Sequence, residues 1–253
     1  MPVLVLLFFI TAVLYASVGF GGGSTYNALL VLHGADYRIL PSIALICNII
    51  VGAGGAFRFS RAGHLDWRAL APWIVASVPA AWIGGRIPIS ETFFIAALGL
   101  TLLAAGVRLA FERTPAAPGG EFHPPPATLA IAIGAALGFI SGLVGIGGGI
   151  FLAPVLYFLR WGSPQKIAAA CSLFILANSL SGLAGQAMKL GDVGGVSMLA
   201  EYWMVFPAVL IGGQIGSRLG ASKLSPATVK RLTAALILYV AIRLLWRWGS
   251  LVF

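Results

Sequence analysis

Three consecutive glycines occur twice inside long apolar runs, in Val18-Gly19-Phe20-Gly21-Gly22-Gly23 and again in Val144-Gly145-Ile146-Gly147-Gly148-Gly149. A glycine costs about 1 kcal/mol relative to alanine in a helix interior, so each run predicts an unwound segment with a helix restarting just after it. The first N–H groups of a restarted helix and the positive end of its dipole suit an anion. Around Gly22 and Gly23 the donors would be Ser24, Thr25 and Asn27; around Gly148 and Gly149, which lead into Ile150 and Phe151, they would be backbone N–H groups. Asn48 and Asn178 stand in later apolar runs, where a buried amide needs partners. Arg86 and Gln214 follow Gly84-Gly85 and Gly212-Gly213. An arginine there can hold an oxyanion bidentately or snorkel to the membrane interface. Triple glycine also has a plain structural use, the close packing of membrane helices. Ser42, Ser172, Ser179 and Ser181 are ordinary candidates for bonds back to their own helix.

Other chemistries lack their residues. No Lys-Ser/Thr follows the glycines as a phosphate loop requires, and no Ser/His, paired-Asp or HExxH arrangement suggests an enzyme. His33, His64 and His123 fit no metal-ligand spacing, and Cys47 and Cys171 lie singly in apolar runs. Asp36, Asp66, Glu91, Glu112, Glu121, Asp192 and Glu201 fall at run ends or in loops, so no proton relay is legible. No cofactor, metal or ATP-binding element is expected.

Membrane helices have to hold these residues in place. The 253 residues are 59% apolar and 9% charged, with a mean hydropathy of +0.98, and most uncharged stretches approach the roughly 20 residues of a membrane span. The first segment has no basic start and runs directly into the glycines, so it is read as structure rather than as a signal peptide. The net charge of +9 is scattered through short loops, which argues for membrane topology and against nucleic acid. Trp67, Trp161, Trp203, Trp246 and Trp248 near run ends read as interface anchors.

The chain reads as two copies of one unit. Besides the glycines, Ser42 matches Ser172, Asn48 matches Asn178, and Gly52 and Gly55 match Gly182 and Gly185. Pro79-Ala80 and Ile83-Gly84-Gly85 match Pro207-Ala208 and Ile211-Gly212-Gly213, and Arg108-Leu109 matches Arg243-Leu244. A first membrane repeat over 1–111, a polar Pro/Gly-rich linker over 112–126 and a second repeat over 127–253 follow. Four crossings per half divide the basic residues eight against eight, which orients nothing. If each glycine segment returns to the side it entered, the division is eleven against five, with Arg58, Arg61 and Arg68 on the richer side. That positive-inside bias predicts inverted repeats, both termini outside the cytoplasm and the linker within it. A re-entrant hairpin and a pair of separate spans give the same parity. The fold expected is an all-α polytopic membrane protein of two inverted repeats, each with a glycine-broken hairpin or discontinuous helix. Such repeats mark secondary transporters, with substrate bound where the halves meet.

These motifs, taken together, resemble the TauE/SafE (sulfite exporter, TSUP) family: two copies of GxGGG leading into a helix, Asn-x-x-x-Gly in the next helix, and a later Gly-Gly in a small-residue context. The resemblance covers about Leu4 to Trp246. It implies a multi-pass protein of the bacterial inner membrane that moves small organosulfur or sulfur oxyanions, such as sulfite, sulfoacetate and related sulfonates, by alternating access. An anion channel and a carrier of small carboxylates are the alternatives. The partners implied are a small anion and the lipid bilayer; a homodimer is compatible with such carriers. The second copy keeps the family's proline, Pro154, after its glycines, whereas the first reads Ser24-Thr25-Tyr26-Asn27.

Overall fold

In a computed structural model the chain is described over residues 1–17, 19–111, 125–191, 195–219 and 226–252. The expected linker at 112–126 lies outside the described residues except for Pro125 and Pro126, as does Val18 of the first glycine motif. Eleven helices and no strand occur among the described residues: α1 (Pro2–Ser17), α2 (Gly23–His33), α3 (Leu40–Arg61), α4 (Trp67–Arg86), α5 (Glu91–Phe111), α6 (Ala127–Val144), α7 (Gly149–Phe158), α8 (Pro164–Gly191), α9 (Gly195–Ala200), α10 (Val205–Leu219) and α11 (Pro226–Val252). Four described segments, Leu40–Arg61, Glu91–Arg108, Ala127–Val144 and Gln165–Lys189, are long and apolar enough to cross a bilayer. Their outer faces carry residues such as Phe57, Leu100, Ile131 and Leu180, as lipid contact requires.

The glycine runs do break the helices where expected. Gly22 caps the start of α2 with φ 91° and Gly148 caps α7 with φ 74°, a left-handed backbone that costs a residue with a Cβ about 1 kcal/mol or more. With 11 and 10 residues at about 1.5 Å each, α2 and α7 are half-spans. α2 leans on α1, α3 and α11, and Phe8 of α1 stacks on Tyr26 at 4.8 Å. α7 packs on α8 and α5. Past α2, Asp36 receives the guanidinium of Arg38 at 2.6 Å, and that bond holds the Asp36 carboxyl below its ordinary range.

Small residues let backbones touch, and the order of the contacts gives the helix directions. Gly134, Gly138 and Gly142 of α6 lie on the backbone of Trp73, Ser77 and Ala81 of α4, in that order, so the two helices run parallel. Gly212 and Gly216 of α10 meet Phe9 and Val13 of α1, again parallel. α3 and α8 run antiparallel, with Leu45 against Gly182 and Gly55 against Ser172; so do α5 and α11, with Gly99 against Leu245 and Gly106 against Leu238. Without an aqueous hydrophobic drive inside lipid, such close van der Waals seams are a main source of helix association.

Candidate functional site

The two glycine breaks meet around one side chain. Asn48, about 12 Å along α3, is fully buried and wedged between both breaks. A Cβ on Gly21 or Gly23 would collide with its amide, and one on Gly147 would stand 2.6 Å from its Nδ2. The Cβ of Gly23 would also come within 2.7 Å of the Ile146 carbonyl oxygen, so the start of α2 touches the second break directly. Glycine is required here for close approach as much as for conformation. Neither Nδ2 nor Oδ1 of Asn48 has a hydrogen-bond partner among the described residues. A buried amide in that condition costs roughly 1–3 kcal/mol, which marks the position as one kept for something other than stability.

The remaining candidates fall into three groups. Gly22, Gly23, Gly148 and Gly149 line the breaks as expected and are buried. Ser24, Thr25 and Asn27, in the first turns of α2, are also buried, yet part of their capacity is used by the protein. Thr25 Oγ1 shares a hydrogen bond with Tyr15 Oη at 2.7 Å, and Asn27 Nδ2 donates to the Val144 carbonyl at 2.8 Å, tying α2 to the end of α6. Asn27 Oδ1 and Tyr26 Oη have no partner among the described residues.

Asn178, Arg86 and Gln214 stand away from the breaks. Asn178 donates Nδ2 to the Phe174 carbonyl of its own helix at 2.9 Å. From α8 it is Ile175 that packs on Gly21, Gly147 and Gly149, with Phe174 beside Gly148. The two asparagines therefore match in sequence and differ in place by about one helical turn. Arg86 is exposed at the end of α4, with its guanidinium over the Trp82 ring at 5.2 Å. Gln214 accepts a hydrogen bond from Arg58, a residue that charge alone assigned to a loop.

Arg58 lies in the last turn of α3 and is half-buried. It donates to Gln214 Oε1 and to Ser217 Oγ of α10. Ser217 also lines a narrow cleft of about 10 Å³, room for roughly one water molecule, together with Ala16, Gly19, Phe20, Val51, Gly52, Gly55 and Ser172. The cleft follows α3 from Ser217, one partner of Arg58, to Gly52, one turn from Asn48, and ends beside the first glycine break. At that end Ser172 Oγ donates to the Gly19 carbonyl at 3.0 Å.

Comparison with known proteins gives the same frame. The profile described as "Sulfite exporter TauE/SafE" matches residues 4–244. The chain is 32% identical over 245 residues to the probable membrane transporter protein y4hK of Sinorhizobium fredii, covering 96% of this chain and 97% of that one. It is 22% identical over 275 residues to the probable membrane transporter protein YunE of Bacillus subtilis, covering 96% and 97%. With MJ0441 of Methanocaldococcus jannaschii, also named a probable membrane transporter protein, it is 23% identical over 256 residues, covering 94% and 92%. No solved structure matches the chain. Four membrane-capable helices and a profile match along nearly the whole sequence make this a multi-pass inner-membrane protein, and the chain belongs to the sulfite exporter TauE/SafE family of membrane transporters.

Proposed function

We propose that this protein is a secondary carrier of small sulfur oxyanions or sulfonates, of the sulfite and sulfoacetate type, which binds its substrate at Asn48 between the two glycine breaks. The observation that carries the reading is the Asn48 amide, fully buried and unpartnered at both ends among the described residues, at the point where two helix N-termini converge. An oxyanion entering there would receive Asn48 Nδ2 and the leading N–H groups of α2 and α7, donors that gain strength in a site closed to water. Gly22, Gly23, Ser24, Thr25, Asn27, Gly148 and Gly149 form the walls. Asn48 fills the space between the breaks, so binding requires them to part by the width of the anion.

Alternating access follows from the halves 1–111 and 127–253 being inverted repeats. What supports this is direction. α3 runs opposite to α8, and α5 opposite to α11, as counterparts in inverted copies must. The parallel pairs α4 with α6 and α10 with α1 exchange when the halves are exchanged. Rocking one half against the other about the shared site then opens it to each face in turn.

The test is thermal stabilisation of the detergent-solubilised protein by sulfite, thiosulfate, sulfoacetate, taurine, sulfate and small carboxylates. A ligand that binds only the folded state raises the apparent melting temperature. At least one organosulfur anion should raise it, and Asn48→Ala should remove the rise while leaving a folded protein. A folded wild type indifferent to every anion overturns the proposal, and so does a rise that Asn48→Ala leaves intact.

A further inference from the structure

The guanidinium of Arg58 is a cation with neutral company. Its partners are the oxygens of Gln214 and Ser217, and no Asp or Glu pairs with it among the described residues. Ser217 is committed as an acceptor toward Arg58, because its own hydroxyl proton goes back to the Gly213 carbonyl at 2.6 Å. Gln214 likewise accepts through Oε1, and its donor end, Nε2, is turned toward Gly54. A half-buried charge in this setting has lost water without gaining a counter-ion, a condition that favours any anion able to reach it.

The cleft is the seam an anion would have to use. It is nearly closed along α3, where a Cβ on Gly55 would stand 2.8 Å from Ser172 Oγ and one on Gly52 3.5 Å from the Ser172 carbonyl oxygen. It reaches from Ser217, one of the two Arg58 partners, to Gly19 and Ser172, against the first break. Arg58 reaches it through Ser217, one of its lining residues, so an oxyanion could pass only if that bond is released and α10 parts from α3.

We infer that Arg58 is an entry receptor for the anion, which it takes up in exchange for Gln214 and Ser217, so that α10 parts from α3 and the cleft widens to pass the anion toward Asn48. The planar fork of the guanidinium suits two oxygens of one oxyanion, and releasing the two α10 partners frees α10 from α3. Arg58 is thus both the specificity element for negative charge and the tie between the two helices that flank the cleft. This rests on the anion reading of the Asn48 site, and it is tested without that site being occupied.

The experiment uses a cysteine in the cleft and two thiol reagents of opposite charge. In the solubilised Ala16→Cys protein, rates of modification by the anionic sulfonatoethyl and the cationic trimethylammonioethyl methanethiosulfonates are compared. The wild type, whose Cys47 and Cys171 are buried, serves as the blank. The anionic reagent should react faster, and combining Ala16→Cys with Arg58→Gln should lower the anion-to-cation rate ratio by about tenfold, the scale on which a nearby charge focuses ions in a cleft. Arg58→Lys, which keeps the charge, should restore most of the ratio. A ratio unchanged within twofold by Arg58→Gln overturns the inference, as does an introduced thiol that neither reagent reaches. Loss of the Asn48-dependent thermal shift, by contrast, would leave these rates as they are, so the two readings fail separately.

Discussion

Two seams flank the Asn48 level, and they are built from matched residues to different tightness. Because α3 and α8 cross antiparallel there, the C-terminal half of each points to an opposite end of the molecule. At the α8 end, α4 lies backbone to backbone on its neighbour. A Cβ on Gly85 would collide with the Gly182 carbonyl and stand 3.2 Å from the Gln186 nitrogen, while one on Gly185 would stand 2.9 Å from the Arg86 nitrogen. Ser181 Oγ closes that seam further by donating to the Val78 carbonyl at 2.6 Å. At the α3 end, a Cβ on Gly213, the sequence match of Gly85, would come only within 3.3 Å of a Val51 side-chain carbon, and one on Gly54 within 3.6 Å of Gln214 Nε2. One seam is sealed by main chain; the other is held apart by side chains, and the cleft lies along it. Matched glycines at two ends of a protein can thus hold two different separations at once, a property that the proposed alternation would use.

A methyl group added to the sealed seam strikes at this asymmetry most directly. Gly85→Ala puts a carbon where the Gly182 carbonyl already stands, and neither backbone can yield without parting α4 from α8. Overpacking of this kind costs about 3 kcal/mol, read as a fall in apparent melting temperature of the solubilised protein. A melting temperature unchanged by the substitution would show that the seam is not closed in solution.

How much of this was legible in the sequence differs between the glycines and the polar groups. The breaks were legible because three glycines in a row disfavour a helix interior whichever use they serve, and the motif occurs twice. The asparagines were less legible. Matching Asn48 to Asn178 used distance along the chain, whereas the residues that face the breaks from α8 are fixed by where two long helices cross, and they are Ile175 and Phe174 rather than Asn178. Arg58 escaped for a related reason: an arginine ending an uncharged stretch looks like the first loop residue, but α3 continues to Arg61 and carries Arg58 round to face α10. Gly54 and Gly55, preceding that arginine by about one turn, were the available signal.

The open seam is probed by a smaller change. Gln214→Ala removes one of the two neutral acceptors of Arg58, and a hydrogen bond to a charged group in a half-buried site contributes about 1 kcal/mol once solvent screening is allowed for. The apparent stability should fall by that amount in low salt, and part of it should return when a binding anion such as sulfite is supplied. A fall of the same size with every salt, chloride included, would make Gln214 a packing residue only.

The mildest change in stability is also the one that separates a static difference from an exchange of states. Gly213→Ala adds its carbon 3.3 Å from the end of the Val51 side chain, which can give by a few tenths of an ångström, and alanine is the better helix former. The two terms nearly cancel, so stability should change by no more than about 0.5 kcal/mol. If the seams exchange during transport, however, α10 must at some stage close on α3 as tightly as α4 closes on α8, and the added methyl then stands where a carbonyl has to come. Gly213→Ala should therefore hold the cleft open: the thiol introduced by Ala16→Cys should react faster than it does with glycine at 213, while its anion-to-cation preference stays the same because Arg58 is intact. Equal rates in the two backgrounds would mean that the α3–α10 seam does not close, and the asymmetry between the seams would then be a fixed feature of the fold rather than one half of a cycle.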